Sequence, residues 1–305
     1  MTNNNHICVL LSTYNGEKYL REQIDSILKQ EGVKVELLVR DDGSIDSTLL
    51  ILKEYESKNL LKILNSDKNL GPAPSFMELL YNSPDSDFYA FADQDDIWKP
   101  KKLLTAVEML NNISEPALYC SNQIIYENGI EKSLRFNKEP NYSLVNLICG
   151  NSISGCTMVM NYKLKEILNR YKISNDVLRI RMHDVWCLLV ASITGKIIYD
   201  KDAYIDYRIH NSNTVGLGKK GLMPKLLKLK KKLLCPYLQN GRSKIAKELL
   251  KIDSLSMDDA IILKCFANYR NSFIDKINIL MNTNIRKNCD EKRFLFMLKV
   301  LFNWI

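Results

Sequence analysis

FADQDDIWKP, residues 91–100, places two carboxylates, Asp93 and Asp95, at alternate positions after a buried, strand-like run. Alternate residues of an extended segment point the same way, so both can face one ligand. Hard oxygen donors of this kind suit Mg2+ or Mn2+, and such an ion can bridge to a diphosphate. Bare carboxylates would repel a diphosphate, whereas a bound cation neutralises the charge that develops on a leaving nucleotide. The competing reading is a solvated loop that caps a helix. A second acidic pair, Asp41-Asp42, ends the run VELLVR, and Thr13-Tyr14-Asn15 follows the run HICVLLS. The three histidines are His6 at a strand start, His183 before Asp184 in RIRMHDVWCLLV, and His210 in DYRIHNSNTVG. Imidazole binds Mn2+-class ions well, so His210 is either a metal ligand or a plain surface histidine.

The elements around these residues alternate. His6–Ser12, Val35–Arg40, Leu61–Leu64 and Phe88–Ala92 read as strands. Between them lie helical patterns: Glu17–Gln30 with Leu20, Ile24, Ile27 and Leu28 on one face, a helix from Asp46 to about Ser57, and one after Gly71-Pro72. Pro100 opens the next, at an early-turn position where its missing N–H costs little. Such alternation predicts βαβ units in a mainly parallel, doubly wound α/β sheet, in which ligands sit beyond the carboxyl ends of the strands. All three polar clusters fall there. Beyond Ala117 the reading is a strand to Tyr126, a loop leading into a strand over Asn146–Met160, a helix over Arg181–Ile193 and one or two strands over Lys196–Arg208. Gly216–Gly221 reads as a linker, with helices from there to Ile305.

The 305 residues suit one large α/β domain with an appendage. The eight cysteines have no zinc-site spacing, and a chain this long needs no disulfide staples, so reduced, buried thiols are expected. Met1–His6 is polar, unlike a signal peptide, and no apolar run approaches the roughly 18 residues of a membrane span. A cytoplasmic protein is expected. Residues 216–305 hold 19 Lys/Arg and 7 Asp/Glu, against 24 and 28 in residues 1–215, so the net +8 belongs to the tail. An acidic surface is therefore the expected partner of the C-terminal region.

STYNGEKYLREQIDSILKQ, RDDGSIDST, LNSDKNLGPAPSFMELL and FADQDDIWKP together resemble, in order and spacing, the inverting glycosyltransferases of family 2, with the GT-A fold. The resemblance is close over about residues 6–110 and looser to about 215. FADQDDIW, MHDVW and YRIHNSNTVG look most like rhamnosyltransferases of polysaccharide and O-antigen assembly. It implies a catalytic domain over 1–215, its nucleotide-sugar half about 1–110 and acceptor half about 111–215, and a basic helical region over 216–305. Carried over residue by residue, Thr13, Tyr14, Asn15 and Glu17 match the nucleotide-holding loop. Asp41 and Asp42 match the acidic pair near base and ribose, without deciding which one meets the base. Asp93 matches the ribose or diphosphate position and Asp95 the metal ligand, with His210 closing the metal site. Lys68 and Asn69 lie where they could approach the donor, Lys68 being equally readable as a surface residue. Asp184 occupies the position of the carboxylate that deprotonates the acceptor hydroxyl, where its other reading is a helix N-cap. His183 is expected to orient that loop. Ser154–Thr157 resembles an acceptor-side loop.

The implied activity moves a sugar from dTDP-rhamnose or a UDP-hexose, with Mn2+ or Mg2+, onto a polyprenyl-diphosphate-linked glycan of a cell-surface polysaccharide such as O-antigen or capsule. Lys219–Leu234 holds seven lysines and leucines at helical spacing, the pattern of a helix lying in an anionic membrane interface. A peripheral place at the inner face of the cell membrane follows; the alternative is a lysine face in solvent. RFLFMLKVLFNWI at the end is too short to span. A dehydrogenase is disfavoured because STYNGEKYL has one glycine where Gly-x-Gly-x-x-Gly is required. A non-catalytic nucleic-acid or membrane binder using the basic tail leaves the acidic clusters unexplained, and nucleic acid is not an expected partner.

Overall fold

The computed structural model describes residues 5–65, 68–151, 153–210 and 240–303. The chain divides into two compact units, one of Met1–Pro140 with Ser152–Arg208, the other of Asn141–Asn151 with Ile209–Ile305. The boundary expected at 215, the Gly216–Gly221 linker and the lysine-rich Lys219–Leu234 lie outside the described residues.

The first unit is an α/β fold on one nine-stranded sheet. Its nucleus is β1 (His6–Thr13), flanked in parallel by β2 (Lys34–Asp41) and β4 (Phe88–Ala92). Ile7 through Leu11 are fully buried, as an unbroken apolar run demands of a central strand covered on both faces. Two-residue β3 (Lys62–Ile63) adds beside β2. Helices α1 (Leu20–Leu28), α2 (Thr48–Glu56) and α3 (Pro72–Tyr81) make the crossovers. Leu20, Ile24 and Ile27 are buried on α1 as their spacing predicts.

Past β4 the sheet is mixed. Three-residue β8 (Val159–Asn161) pairs antiparallel with both β4 and β6 (Ala117–Glu127), and β6 runs parallel to β9 (Lys196–Arg208). Short β5 (Ile97–Trp98) closes the far edge against β9. An Asn128-Gly129 turn, with φ of 53° and 81°, folds β6 back into the exposed hairpin strand β7 (Ile130–Leu134). Helix α4 (Lys102–Leu110) follows β5. After β8 come α6 (Tyr162–Arg170), α7 (Asn175–Arg181) and α8 (His183–Thr194). Apolar on nearly every side, α8 is buried over most of its length.

The stretch expected as a loop and strand over Asn146–Met160 divides differently. Leu144–Cys149 is helix α5, capped by Ser143, whose Oγ accepts the Asn146 N–H, and it belongs to the second unit. There the Asn141 side chain and the Ser143 hydroxyl both donate to the Asn288 carbonyl (3.1 and 3.3 Å). Arg242 donates to the Cys149 carbonyl (2.7 Å) and pairs with Glu291 (2.6 Å). The rest of that unit, as described, is helical: Gly241–Leu249, Met257–Asn268, Phe273–Met281, Thr283–Asn288 and Arg293–Leu301. No helix among the described residues is long and apolar enough to cross a membrane. The described cysteines are all free thiols.

Candidate active site

Strands β2, β1 and β4 lie side by side and parallel, so their carboxyl ends bring three loops together: Thr13–Glu17, Asp41–Thr48 and Asp93–Asp96. The first two loops interlock through backbone donors. The Asn15 N–H donates to Ser44 Oγ (2.8 Å) and the Gly16 N–H to Thr48 Oγ1 (2.8 Å). In return the Ile45 N–H donates to Asn15 Oδ1 (2.9 Å) and the Ser47 N–H to Glu17 Oε2 (2.9 Å). Asn15 takes a left-handed φ of 49°, a conformation its short polar side chain tolerates. The Tyr14 ring stays about half exposed. Gln94 joins this pair to the acidic loop, accepting the Tyr14 N–H (2.8 Å) and donating to the Tyr14 carbonyl (3.0 Å).

Hydrogen bonds separate the Asp41-Asp42 pair. Asp42 is buried; its carboxylate pairs with the buried Arg40 guanidinium and accepts the Leu70 and Gly71 N–H groups, both at 2.8 Å. Its carbonyl accepts from Asn69 (2.7 Å), and Arg40 donates to the Lys68 carbonyl (2.7 Å). This enclosed carboxylate braces the loops that carry residues 40–42 and 68–71. Lys68 and Asn69 join that brace, Lys68 through its carbonyl. Asp41 is only half-buried, accepting from Thr13 Oγ1 (3.1 Å), the Ser44 N–H (3.0 Å) and Ser44 Oγ (2.6 Å).

In the third loop the alternation argument meets a limit. Strand β4 stops at Ala92 and residues 94–95 form a turn, so side-chain direction no longer follows strand pleat. Carboxylate oxygens of Asp93 and Asp96, with the Cys156 thiol, lie within 4.8 Å of one another. Asp96 shares this cluster with Asp93, and Asp95 is close enough that its charge acts on both. Burial and then the charge of Asp95 push the Asp93 carboxyl up to about 7, although part of its surface reaches solvent. Asp96 is fully buried and is likewise raised well above the usual carboxylate range by burial and by both neighbouring acids. Its Oδ1 accepts the Arg208 N–H (3.2 Å), while its Oδ2 has no hydrogen-bond partner among the described residues. Arg208, the last residue of β9, also donates to the Asp95 carbonyl (2.9 Å) and pairs with Glu22 (2.6 Å), fixing the loop from behind.

Crowded carboxylates with an orphaned buried oxygen fit a divalent cation, which would offset the burial and the repulsion that raise both acids. The oxygen donors suit Mg2+ or Mn2+; the softer Cys156 sulfur instead accepts from Gln123 Nε2 (3.1 Å). His210, the expected partner of Asp95, is in the second unit.

Cys156 sits in a 3-10 turn, Gly155–Thr157, whose other side touches the expected base. A Cβ built on Gly155 would lie 2.6 Å from His183 Nε2 and 3.6 Å from Asp184 Cβ. Burial pushes Asp184 up to about 6, against the opposing hydrogen bond that its Oδ1 accepts from the Val185 N–H (2.7 Å). Asp184 stands in the first turn of α8, inside a helix whose N-cap is Met182 and which has no side-chain capping bond, so it is not the N-cap. It also lies near the acidic cluster, whose Asp93 feels its charge. His183 is buried, stacked on Phe76 (centroids 4.2 Å apart) and edge-on to Phe91 (4.9 Å). Burial drops its imidazole to about 3, so it is neutral, and neither ring nitrogen has a hydrogen-bond partner among the described residues. Met182 before it has φ 63° and ψ 155°, a region almost reserved for glycine, and such strain gathers at functional sites.

The sequence placed Asp96 and Gln94 in the acidic loop and Cys156 in the Ser154–Thr157 loop without giving them roles of their own, and it did not single out Gln123 and Arg135. Arg135 follows β7, where its N–H donates to the Gln123 carbonyl (2.8 Å) and Nη1 to Gln123 Oε1 (2.5 Å) and Ser154 Oγ. The Asn128-Gly129 turn was the available signal, since a hairpin there returns residue 135 to the level of Gln123. His6, as expected, is structural: its ring lies 3.5 Å from Glu36 and 3.2 Å from Ser86 Oγ.

Comparison with known proteins agrees with this geometry. The family model for glycosyl transferase family 2 matches residues 8–172. The dTDP-rhamnosyl transferase RfbG of Shigella flexneri is 30% identical over 220 residues, which cover 68% of this chain and 73% of that protein. In fold, the chain is similar to residues 1–349 of S. aureus TarS in complex with UDP, with TM-score 0.59 and 21% identity over 98% of this chain and 80% of that one. It is also similar to mannosyltransferase PcManGT of Pyrobaculum calidifontis in complex with GDP-Man and Mn2+, with TM-score 0.55 and 12% identity over 99% and 86% of the two chains. Three loops meeting at the carboxyl ends of parallel strands, and a family match that runs through all of them, make this chain a member of glycosyl transferase family 2.

Proposed function

We propose that the chain is a metal-dependent, inverting glycosyltransferase with Asp184 as its general base. The observation that carries this reading is the Gly155–Thr157 turn, which has the acidic cluster at its Cys156 thiol and Asp184 against Gly155. Thr13, Asn15, Glu17 and Asp41 hold the nucleotide end of the donor, and the half-exposed Tyr14 ring offers an apolar face to a base. Asp93 and Asp96, with Asp95 adding charge nearby, would hold Mn2+ or Mg2+. Such an ion supplies electrostatic stabilisation of a leaving diphosphate.

Asp184 takes the proton from the acceptor hydroxyl as that oxygen attacks the anomeric carbon opposite the leaving group. One displacement inverts the configuration. A base held near pH 6 is ionised at neutral pH yet basic enough to receive that proton. The similarity to a dTDP-rhamnosyl transferase favours a deoxythymidine diphosphate-linked rhamnose donor, with UDP-hexoses as alternatives. A lipid-linked glycan acceptor at a membrane surface remains part of the proposal, since such a carrier would supply the polymer of a surface polysaccharide. Nucleotide release from a panel of dTDP- and UDP-sugars, with and without Mn2+, tests the reading. Release from one donor class only when Mn2+ is present is expected; no release from any donor contradicts it.

A further inference from the structure

We propose that Arg135 is a binding residue of this site, holding phosphoryl oxygens of the leaving nucleoside diphosphate. The inference rests on the donor reading above and adds to it the cation that meets the diphosphate.

Four carboxylates, Asp93, Asp95, Asp96 and Asp184, surround the candidate site, and a diphosphate brings more negative charge. One divalent ion leaves that assembly short of positive charge. The nearby cations differ in what already holds them. Arg208 is bound to Glu22 and the Asp95 carbonyl, and Arg40 is enclosed with Asp42. Lys102 is fully buried with its Nζ 3.7 Å from the Trp98 ring centroid, and burial lowers it to about 7.

Arg135 is different. Among the described residues its guanidinium forms no ion pair, and both hydrogen-bond acceptors of Nη1, Gln123 Oε1 and Ser154 Oγ, are neutral. It lies 5.2 Å from the ring centroids of both Phe136 and Tyr207, which restricts its motion. The Ser154 it holds leads into the Gly155–Thr157 turn, and Gln123, its other partner, donates to Cys156 Sγ (3.1 Å), which sets the guanidinium beside the cluster. Its charge adds to that of Arg181 in lowering Asp184 and also lowers Asp93.

Backbone and side chain fix it there. The hairpin turn at Asn128-Gly129 brings the chain back along β6. Asn122 then accepts the Phe136 N–H at 3.1 Å and donates to the Phe136 carbonyl at 2.8 Å. With Nη1 tethered, Nε and Nη2 remain as a planar donor edge of the geometry that phosphate oxygens accept. A donor fixed in advance beside a leaving group gains strength as charge develops there, at no cost of reorganisation.

The test uses the full chain with Arg135→Gln and Arg135→Lys, circular dichroism confirming that both fold. Calorimetry measures binding of UDP, dTDP and the corresponding monophosphates in the presence of Mn2+. The expected result is a loss of about tenfold or more in diphosphate affinity for Arg135→Gln, as removal of a charge-assisted bidentate contact implies. Monophosphate affinity should change by less than about threefold, and Arg135→Lys should recover part of the loss. Unchanged diphosphate affinity in Arg135→Gln overturns the role of Arg135, as does an equal loss for mono- and diphosphates, which would mark a structural effect. Absence of any nucleoside diphosphate binding by the unaltered protein overturns the donor reading itself, and this proposal with it.

Discussion

Gly155 and His183 pack so closely that a Cβ on residue 155 would come within 2.6 Å of the imidazole Nε2. The ring has little room to retreat, being stacked on Phe76 and edge-on to Phe91. The glycine thus lets the turn that carries Cys156 reach the helix that carries Asp184. Gly155→Ala is expected to cost about 1–3 kcal/mol through overpacking of a rigid neighbour. Transfer should fall as well, because the turn and the base move apart. Thermal denaturation and turnover, measured together, check both effects.

His183 gives stability a pH dependence of predictable sign. Burial keeps the folded imidazole neutral down to about pH 3, whereas an unfolded histidine takes a proton near 6.5. Between those values the unfolded chain binds more protons, so stability falls as pH falls. From pH 6.5 to 5 the loss is about 1.6 kcal/mol for this one group. His183→Phe keeps an aromatic ring on Phe76 and cannot titrate. The stability difference between the variant and the unaltered protein should shift by that amount in favour of the variant at pH 5. Denaturant unfolding at the two pH values measures it.

The acids at 41 and 42 should respond oppositely to removal of charge. Asp42→Asn leaves a buried Arg40 without its counter-ion, a change that typically costs about 3–5 kcal/mol. Asp41→Asn, at a half-buried position among hydroxyl and N–H donors, should cost far less stability and weaken nucleotide binding more. Comparing unfolding midpoints with nucleotide affinities for the two variants decides the assignment.

Neutralising the cluster should act on metal before it acts on fold. Asp96→Asn removes one of two carboxylates that face each other and relieves their repulsion. The variant is therefore expected to retain or gain stability while losing Mn2+ affinity by about tenfold or more. Calorimetric titration with Mn2+ alone reads this directly; undiminished affinity would move the ion elsewhere.

Much of this was legible in the residues. Unbroken apolar runs at His6–Thr13 and Phe88–Ala92 specify buried parallel strands, and the polar clusters at their ends mark a ligand-facing edge. What escaped depends on contacts between distant segments. Strand periodicity pointed to Asp93 and Asp95 as partners, but periodicity ends with the strand, and the turn at 94–95 brings Asp96 to the cluster as well. Asp42 looked identical in kind to Asp41 until Arg40 and the N–H groups of Leu70 and Gly71 enclosed it. The closeness of Cys156 to the acids and the place of Arg135 were not legible, because neither follows from a local pattern; antiparallel insertion of β8 and the β6–β7 hairpin bring them in.

The most direct test is Asp184→Asn, an isosteric change at the group assigned to proton removal. Donor affinity by calorimetry and sugar transfer by product formation are measured on the same protein. Transfer should drop by about 10²–10⁴-fold with donor affinity within a factor of about three. The unaltered enzyme should also lose activity as pH falls through about 6. Transfer that survives the substitution would show that the hydroxyl proton leaves by another route, and would contradict the assignment.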